Sequence, residues 1–202
     1  MKIVLLGPPG CGKGTQGRRL AKEIGVKFVS TGDILREAIE KGEELGKRIK
    51  KYVEGGGLVP DEIMIKLIEK EVSGGVILDG FPRTLRQAQE LERVVKIDKV
   101  IFFRCPKEII IKRLINRRVC PKCKKVYNLI YEMPEKKGVC SDCNVKLEKR
   151  KDDKKEVIEK RFKEYEKYIN DLLQFYDGKL ITIDATGEIN SVYQELKEVI
   201  NG

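Results

Sequence analysis

The sequence predicts an α/β fold, a parallel sheet flanked by helices, and three observations carry that expectation. Short apolar runs at Lys2 to Leu6, Val76 to Leu78, Val100 to Phe103 and Leu180 to Ile183 are separated by helical patterns, the alternation of a parallel sheet covered on both faces. A glycine-rich turn from Gly7 to Gly12 sits between the first run and a helical pattern over Lys13 to Ile24, which makes half of a βα unit. From Asp152 to Tyr176 a long charged pattern carries Val157, Ile158, Phe162, Tyr165, Ile169, Leu172, Leu173 and Tyr176 at helical spacings, an apolar face that should pack back on the core.

The first turn is also the first chemical signal. Gly7-Pro8-Pro9-Gly10-Cys11-Gly12-Lys13 satisfies the spacing of a phosphate-binding loop in its proper strand-to-helix context. Its glycines let consecutive N–H groups turn inward toward phosphate oxygens, the following helix aims its positive end at the same anion, and Lys13 adds a mobile charge. Gly14 stands where a Ser or Thr ordinarily follows the lysine, with Thr15 one place later.

Two stretches interrupt the alternation. Between Ser30 and Asp61 the chain is helical, with glycines at Gly42, Gly46 and Gly55 to Gly57 and no convincing strand; Thr31 and Asp33 there fit ordinary helix capping. Between Val119 and Arg150 it is rich in Cys, Lys, Pro and Gly and too poor in large apolar residues to build a hydrophobic core of its own. Cys120-Pro121-Lys122-Cys123, sixteen residues, and Cys140-Ser141-Asp142-Cys143 supply the alternative. Two such knuckles can close a tetrahedron of thiolates around zinc, with no open position for a reactive water, so the metal would be structural. Iron is the other metal such thiolates hold. Disulfides are the competing reading, disfavoured in a compartment that keeps thiols reduced. These interruptions divide the chain into a core of residues 1–29, 60–118 and 151–202, an insertion of 30–59 and a second insertion of 119–150.

Composition bounds the rest. At 202 residues the chain has room for one good core with small insertions. No apolar run approaches the roughly 20 residues of a membrane-spanning helix, and the apolar part of the opening is too short for a signal peptide; the expectation is a cytoplasmic protein with no membrane partner. Forty-two Lys and Arg against 32 Asp and Glu leave +10, which suits an anionic partner, nucleotide or nucleic acid. With both signs interspersed, it equally suits a solvated surface or the ion-pair networks of a hot habitat. Without histidine, and without a nucleophile beside a base, a covalent phospho-enzyme is not expected.

The Gly-Lys-Gly-Thr ending of the loop resembles that of adenylate kinases and related nucleoside monophosphate kinases, and the likeness continues in order along most of the chain. Ser30-Thr31-Gly32-Asp33 with Arg36 resembles the start of the family's AMP-site helix, Asp79-Gly80-Phe81-Pro82-Arg83 with Gln87 its second signature, and Arg117-Arg118 and Arg150-Lys151-Asp152-Asp153 the flanks of its lid. The resemblance implies a P-loop NTPase core with a helical NMP-binding insertion and a small zinc-binding lid. It implies reversible, Mg-dependent transfer between ATP and AMP to give two ADP, directly and in line, in the service of adenine nucleotide balance.

Residue by residue, the resemblance places ATP at Gly10, Cys11, Gly12, Lys13, Gly14 and Thr15, at Arg117, at Val126 and Tyr127 in the lid, and at Gly187. It places AMP at Thr31, Arg36, Gly57, Leu58, Val59, Gly80, Phe81, Pro82, Arg83, Gln87, Arg150 and Arg161, the amide of Gln87 reading the base edge. Lys13, Arg83, Arg117, Arg150 and Arg161 would meet the charge of the moving phosphoryl group, with Arg113 the weakest candidate of this kind. Asp79, at the carboxyl end of its strand, resembles a Walker-B acid; because Gly14 has no hydroxyl, Asp79 would organise Mg²⁺ through water. Cys11 and Cys105 are expected to be spectators.

Three other readings compete with this one. A P-loop-driven zinc ribbon for nucleic acid would explain the charge and the cysteines, but would leave the acceptor motifs without use and has few aromatic residues for stacking. Another monophosphate acceptor is the nearer rival. A guanine-nucleotide switch lacks an Asn-Lys-x-Asp sequence. The expectation is a monomer working on ATP, AMP and ADP, with no nucleic acid.

Overall fold

In the computed structural model, residues 1–201 are described. Lys2–Leu6 forms β1, and Lys13–Ile24 forms α1, ended by Gly25 in the left-handed region at φ 69°. Lys27–Ser30 is β2, Thr31–Glu40 α2, Glu44–Glu54 α3 and Asp61–Glu69 α4. Val76–Asp79 is β3, Leu85–Val94 α5, Lys99–Arg104 β4 and Lys107–Ile115 α6. Arg117–Val119 and Val126–Asn128 are β5 and β6; a 3-10 turn at Lys151–Asp153 leads into α7, Lys155–Phe175. Leu180–Asp184 and Ile189–Asn201 are β7 and α8.

The main sheet has the order β2-β3-β1-β4-β7 with every pairing parallel. Its central strands are buried on both faces, and the alternation of side chains divides them between two cores. Val4, Leu6, Val76, Leu78 and Val100 enter one core, roofed by α2 to α5 and α7. Ile3, Leu5, Ile77, Ile101 and Phe103 enter the other, with Leu20 and Ala21 of α1, Ile110 and Leu114 of α6, and Val192 and Leu196 of α8. Each such side chain is worth roughly 1.5–3 kcal/mol of transfer free energy, and this double burial makes the strands legible as uninterrupted apolar runs.

Three strands were not expected, the short pair β5 and β6 and, in the main sheet, β2. β2 pairs with β3 from Lys27 opposite Val76 to Ser30 opposite Asp79. Its composition, Lys-Phe-Val-Ser, shows no clear run because β2 is an edge strand with Lys27 exposed and only Val29 fully buried. The structure likewise replaces the start of the expected helix at Asp152 by the 3-10 turn, and α7 begins at Lys155. At residues 30–59 lie α2 and α3, helical as expected. They approach so closely that a Cβ on Gly46 would fall 2.1 Å from the carbonyl oxygen of Ala38.

At residues 119–150 the chain builds two matching knuckles. In each, a backbone N–H returns to the first cysteine: Lys124 N–H donates to Cys120 O (3.0 Å) and Asn144 N–H to Cys140 O (2.9 Å). Both donors sit in the left-handed region, Lys124 at φ 60° and Asn144 at φ 56°. β5 and β6 pair antiparallel beside the first knuckle, and Val119 bridges Glu148 on the return. Among the described residues, no helix is long and apolar enough to cross a membrane.

Candidate active site

The carboxyl ends of β1 and β3 open into a cleft of about 970 Å³ bounded by the phosphate loop, the helical insertion and the cysteine-bearing insertion. Parallel α/β sheets place ligand sites at this edge, where loops leave the strands and helices begin. The loop after β1 supplies Gly10, Cys11, Gly12, Lys13, Gly14 and Thr15 to the wall. Lys13 Nζ donates to the carbonyl oxygens of Gly7 (2.7 Å) and Pro8 (2.8 Å) and lies 3.4 Å from Cys11 Sγ. The ammonium is thereby held over the loop at the start of α1, where helix dipole and lysine charge add.

β3 delivers Asp79 to the same place. Asp79 Oδ2 lies 3.1 Å from where a Cβ on Gly14 would be, so a side chain in the usual Ser/Thr position would crowd the carboxylate. The glycine therefore replaces a hydroxyl with room for Asp79. After β3, Arg83 Nε donates to Gly80 O (2.8 Å), and Thr31 Oγ1 donates to the same carbonyl (2.9 Å), tying the start of α2 to the loop after β3.

The cations are held by carboxylates set behind them. Arg117 makes a two-pronged pair with Asp153, Nε to Oδ2 at 2.8 Å and Nη2 to Oδ1 at 2.6 Å, the carboxylate having no solvent exposure. Arg161 Nη1 donates to Asp152 Oδ2 (2.9 Å). Arg36 pairs with Asp33 (2.5 Å) and lies 3.9 Å from Asp152, while Arg150 lies 3.8 Å from Asp33, which also pairs with Arg18. In Arg117, Arg161 and Arg36 these hydrogen bonds occupy part of each five-donor guanidinium fork and fix its plane, leaving the rest for an anion, whereas Arg150 has only its longer ion pair.

The charges are not balanced within the protein. Burial raises the Asp152 carboxyl, but the guanidinium groups of Arg161, Arg117, Arg36 and Arg150 outweigh it and hold the group below its ordinary value. Asp33 behaves likewise, burial being overcome by Arg36, Arg18 and Arg150. In the opposite sense, burial within the cleft and the nearby Arg117 and Arg36 push the Arg150 guanidinium down from its ordinary value. Burial and Arg117 likewise outweigh Asp152 at Arg161. A cation depressed by its neighbours is stabilised when an anion arrives, so the cleft is electrostatically preorganised for phosphate.

Arg36, Leu58, Gly80, Pro82, Arg83, Arg117, Val126, Tyr127, Arg150, Arg161 and Gly187 also line the cleft, as does Asp79. Thr31, Val59, Phe81 and Gln87 are buried, outside the cleft wall, and Gly57 is not part of that wall. The amide of Gln87 is pinned, Nε2 donating to Asp61 Oδ1 (2.7 Å) and Oε1 accepting from Arg83 N–H (2.8 Å). Tyr127 turns its hydroxyl toward Cys140 Sγ (3.4 Å). Arg113, the weakest arginine on sequence grounds, is among the best anchored. Its Nη1 donates to the carbonyls of Ala185 (2.7 Å) and Cys11 (3.2 Å), and its Nη2 to those of Thr186 and Gly187 (3.2 Å each). It joins the phosphate loop to the loop after β7. Its spacing of four from Arg117 was the available signal. Burial pushes the Cys105 thiol up to about 11, consistent with a packing role.

The four cysteines fit a tetrathiolate metal site. The Sγ atoms of Cys120, Cys123, Cys140 and Cys143 all lie within 4.8 Å of one another, a spread compatible with zinc–sulfur bonds of about 2.3 Å.

A family model described as adenylate kinase matches residues 5–181. Proteins named adenylate kinase from Kosmotoga olearia and Methanothrix thermoacetophila are 42% and 43% identical, over 97% and 100% of this chain and 97% and 99% of their own. A third so named, from Archaeoglobus fulgidus, is 41% identical over 99% of this chain and 98% of its own. A match along nearly the whole length, on a parallel sheet whose phosphate loop faces a set of buttressed arginines, leads to one conclusion: the chain belongs to the adenylate kinase family.

Proposed function

We propose that this protein moves a phosphoryl group reversibly between ATP and AMP, giving two ADP. The observation that carries the reading is the single cleft in which Lys13, Arg36, Arg83, Arg117, Arg150 and Arg161 converge between the phosphate loop and the helical insertion. Family membership supports the choice of substrates. Phosphoryl transfer spreads negative charge over the equatorial oxygens of the group in flight, so placement of cations does most of the work. Lys13 meets the donor phosphates, Arg36 and Arg83 orient the acceptor, and Arg117, Arg150 and Arg161 meet the transferred group. Asp79, through water, would hold the magnesium that accompanies ATP.

In this reading residues 119–150 are a lid that excludes water, the competing acceptor, and 30–59 the acceptor domain on a core of 1–29, 60–118 and 151–202. Zinc, held by the four cysteines, supplies the rigidity that the sparse apolar content of the lid does not. A monomer in the cytoplasm, without nucleic acid, completes the proposal. A coupled assay with ATP and Mg²⁺ against AMP, GMP, CMP and UMP, run beside metal analysis, tests it. ADP formation with AMP well above the others is expected, and no ADP from purified protein given ATP, AMP and Mg²⁺ would refute the activity.

A further inference from the structure

One buried hydroxyl in the cysteine-bearing insertion has a role that phosphoryl transfer does not use. Tyr127 is 2% exposed and packs with Cys120, Cys140 and Leu147. Its hydroxyl oxygen accepts the backbone N–H of Ser141 (3.0 Å) and lies 3.4 Å from Cys140 Sγ. A phenol has one proton to give, and a buried one needs an acceptor. With Ser141 N–H already directed at the oxygen, that proton points to the sulfur. A sulfur that ligates a metal is a thiolate, and a bond to an ionised acceptor is the stronger kind.

We infer that Tyr127 is a positioning residue for the lid metal, its hydroxyl donating a hydrogen bond that orients the Cys140 ligand and slows loss of the ion. The inference rests on the zinc reading above. Both knuckles turn local backbone N–H groups toward their first sulfur, Cys123 N–H lying 3.5 Å from Cys120 Sγ and those of Asp142 and Cys143 facing Cys140. The second adds a hydroxyl drawn from β6, across the fold of the insertion. The ring is also held from outside: Lys125 Nζ stands 5.3 Å from its centroid and pairs with Asp142 (2.9 Å), the residue after Ser141. Tyr127 pairs with Arg118 in the β5–β6 ladder, one residue from Arg117. The hydroxyl therefore connects the metal knot to the strand pair that carries Arg117 into the cleft.

The test loads wild type and Tyr127→Phe with zinc, measures metal content, and follows release to excess chromogenic chelator. Phenylalanine keeps the ring packing and removes only the donor. A single zinc per chain is expected in both, with release about 10- to 100-fold faster from the variant, the usual affinity loss on removing a hydrogen bond behind a metal ligand falling on the off-rate. Tyr131→Phe removes a lid hydroxyl from a residue 50% exposed and should keep the wild-type rate. Equal release from wild type and Tyr127→Phe overturns the positioning role and leaves the zinc reading standing; wild type that binds no zinc overturns both. For the case in which Tyr127→Phe does not fold, wild type carrying cadmium-113 gives a second readout. A coupling between the metal and the Tyr127 hydroxyl proton is expected across the hydrogen bond, and a freely exchanging, uncoupled hydroxyl overturns the proposal.

Discussion

Single residues in the cleft separate into cations free to meet an anion and the carboxylates that hold them, and the two kinds predict different failures. Lys13→Met removes a charge from the loop mouth without touching either core; kcat should fall by about 10²–10³ or more, with the far-ultraviolet circular dichroism and melting temperature of wild type. Asp153→Asn acts from behind. Its carboxylate has no exposure and Arg117 is 13% exposed, so neutralising it leaves a nearly buried cation short of its partner, a loss of about 3 kcal/mol. Urea unfolding should show that loss as a lower midpoint at unchanged slope, and an unchanged midpoint would remove the buttress from the account. The pH dependence has a definite sign. Asp33 and Asp152 are held below their ordinary values, so the stability they contribute is complete above the unfolded carboxylate value of about 4 and is lost as pH falls through their lower folded values. Acid unfolding monitored by fluorescence should steepen below about pH 4, and Asp152→Asn should flatten that limb. At this scale the phosphate loop and the cysteine knuckles were legible because their spacing is their chemistry. Arg113 was legible only as the weakest candidate, and its anchoring not at all, since its four carbonyl partners come from two loops, after β1 and after β7, that only folding brings together.

Elements carry a second set of consequences, because each inserted unit has a feature on which its internal packing depends. In α2 and α3, which also bury Leu35 and Ile49 in the core, that feature is the absent side chain of Gly46. Gly46→Ala has to spread the two helices, and it should raise KM for AMP more than KM for ATP, the core remaining folded; a selective rise for ATP would contradict this. In residues 119–150 the feature is the four-cysteine cluster, whose accompanying apolar side chains are few. Cys120→Ser should leave global unfolding nearly unchanged while amide hydrogen exchange accelerates across 119–150 and not across β1, β3 and β4. The central strands were legible as apolar runs because both their faces are buried. The edge strand β2 escaped because only Val29 in it is fully buried and its pairing with β3 is a tertiary event. The 3-10 turn at Lys151–Asp153 escaped for a related reason: Asp152 and Asp153 leave the helical path to meet Arg161 and Arg117, partners that periodicity does not see.

Across the whole molecule, the two inserted units meet over the cleft through exposed charge. Lys124 pairs with Glu40 (2.7 Å), the two side chains 44% and 58% exposed, and Lys151, just after the second insertion, pairs with Glu54 of the first. An exposed pair is worth at most about 1 kcal/mol, so Glu40→Lys should change KM for both nucleotides by less than about tenfold, with salt relieving a Lys–Lys repulsion where in wild type it weakens an attraction. Lys124→Glu combined with Glu40→Lys should restore the wild-type values, and a double variant no better than either single change would show that the pair does not couple the units. The sequence alone determined the α/β class, the phosphate loop, the four-cysteine knot and the order of the family's motifs, because each is written in residues close together along the chain or in a repeating pattern. Tertiary structure decided which arginine rests on which aspartate, that Gly14 makes room for Asp79, and that Tyr127 turns toward the cysteines. Those are contacts between segments far apart in sequence, and their energies depend on distance and burial, which exist only once the chain has folded.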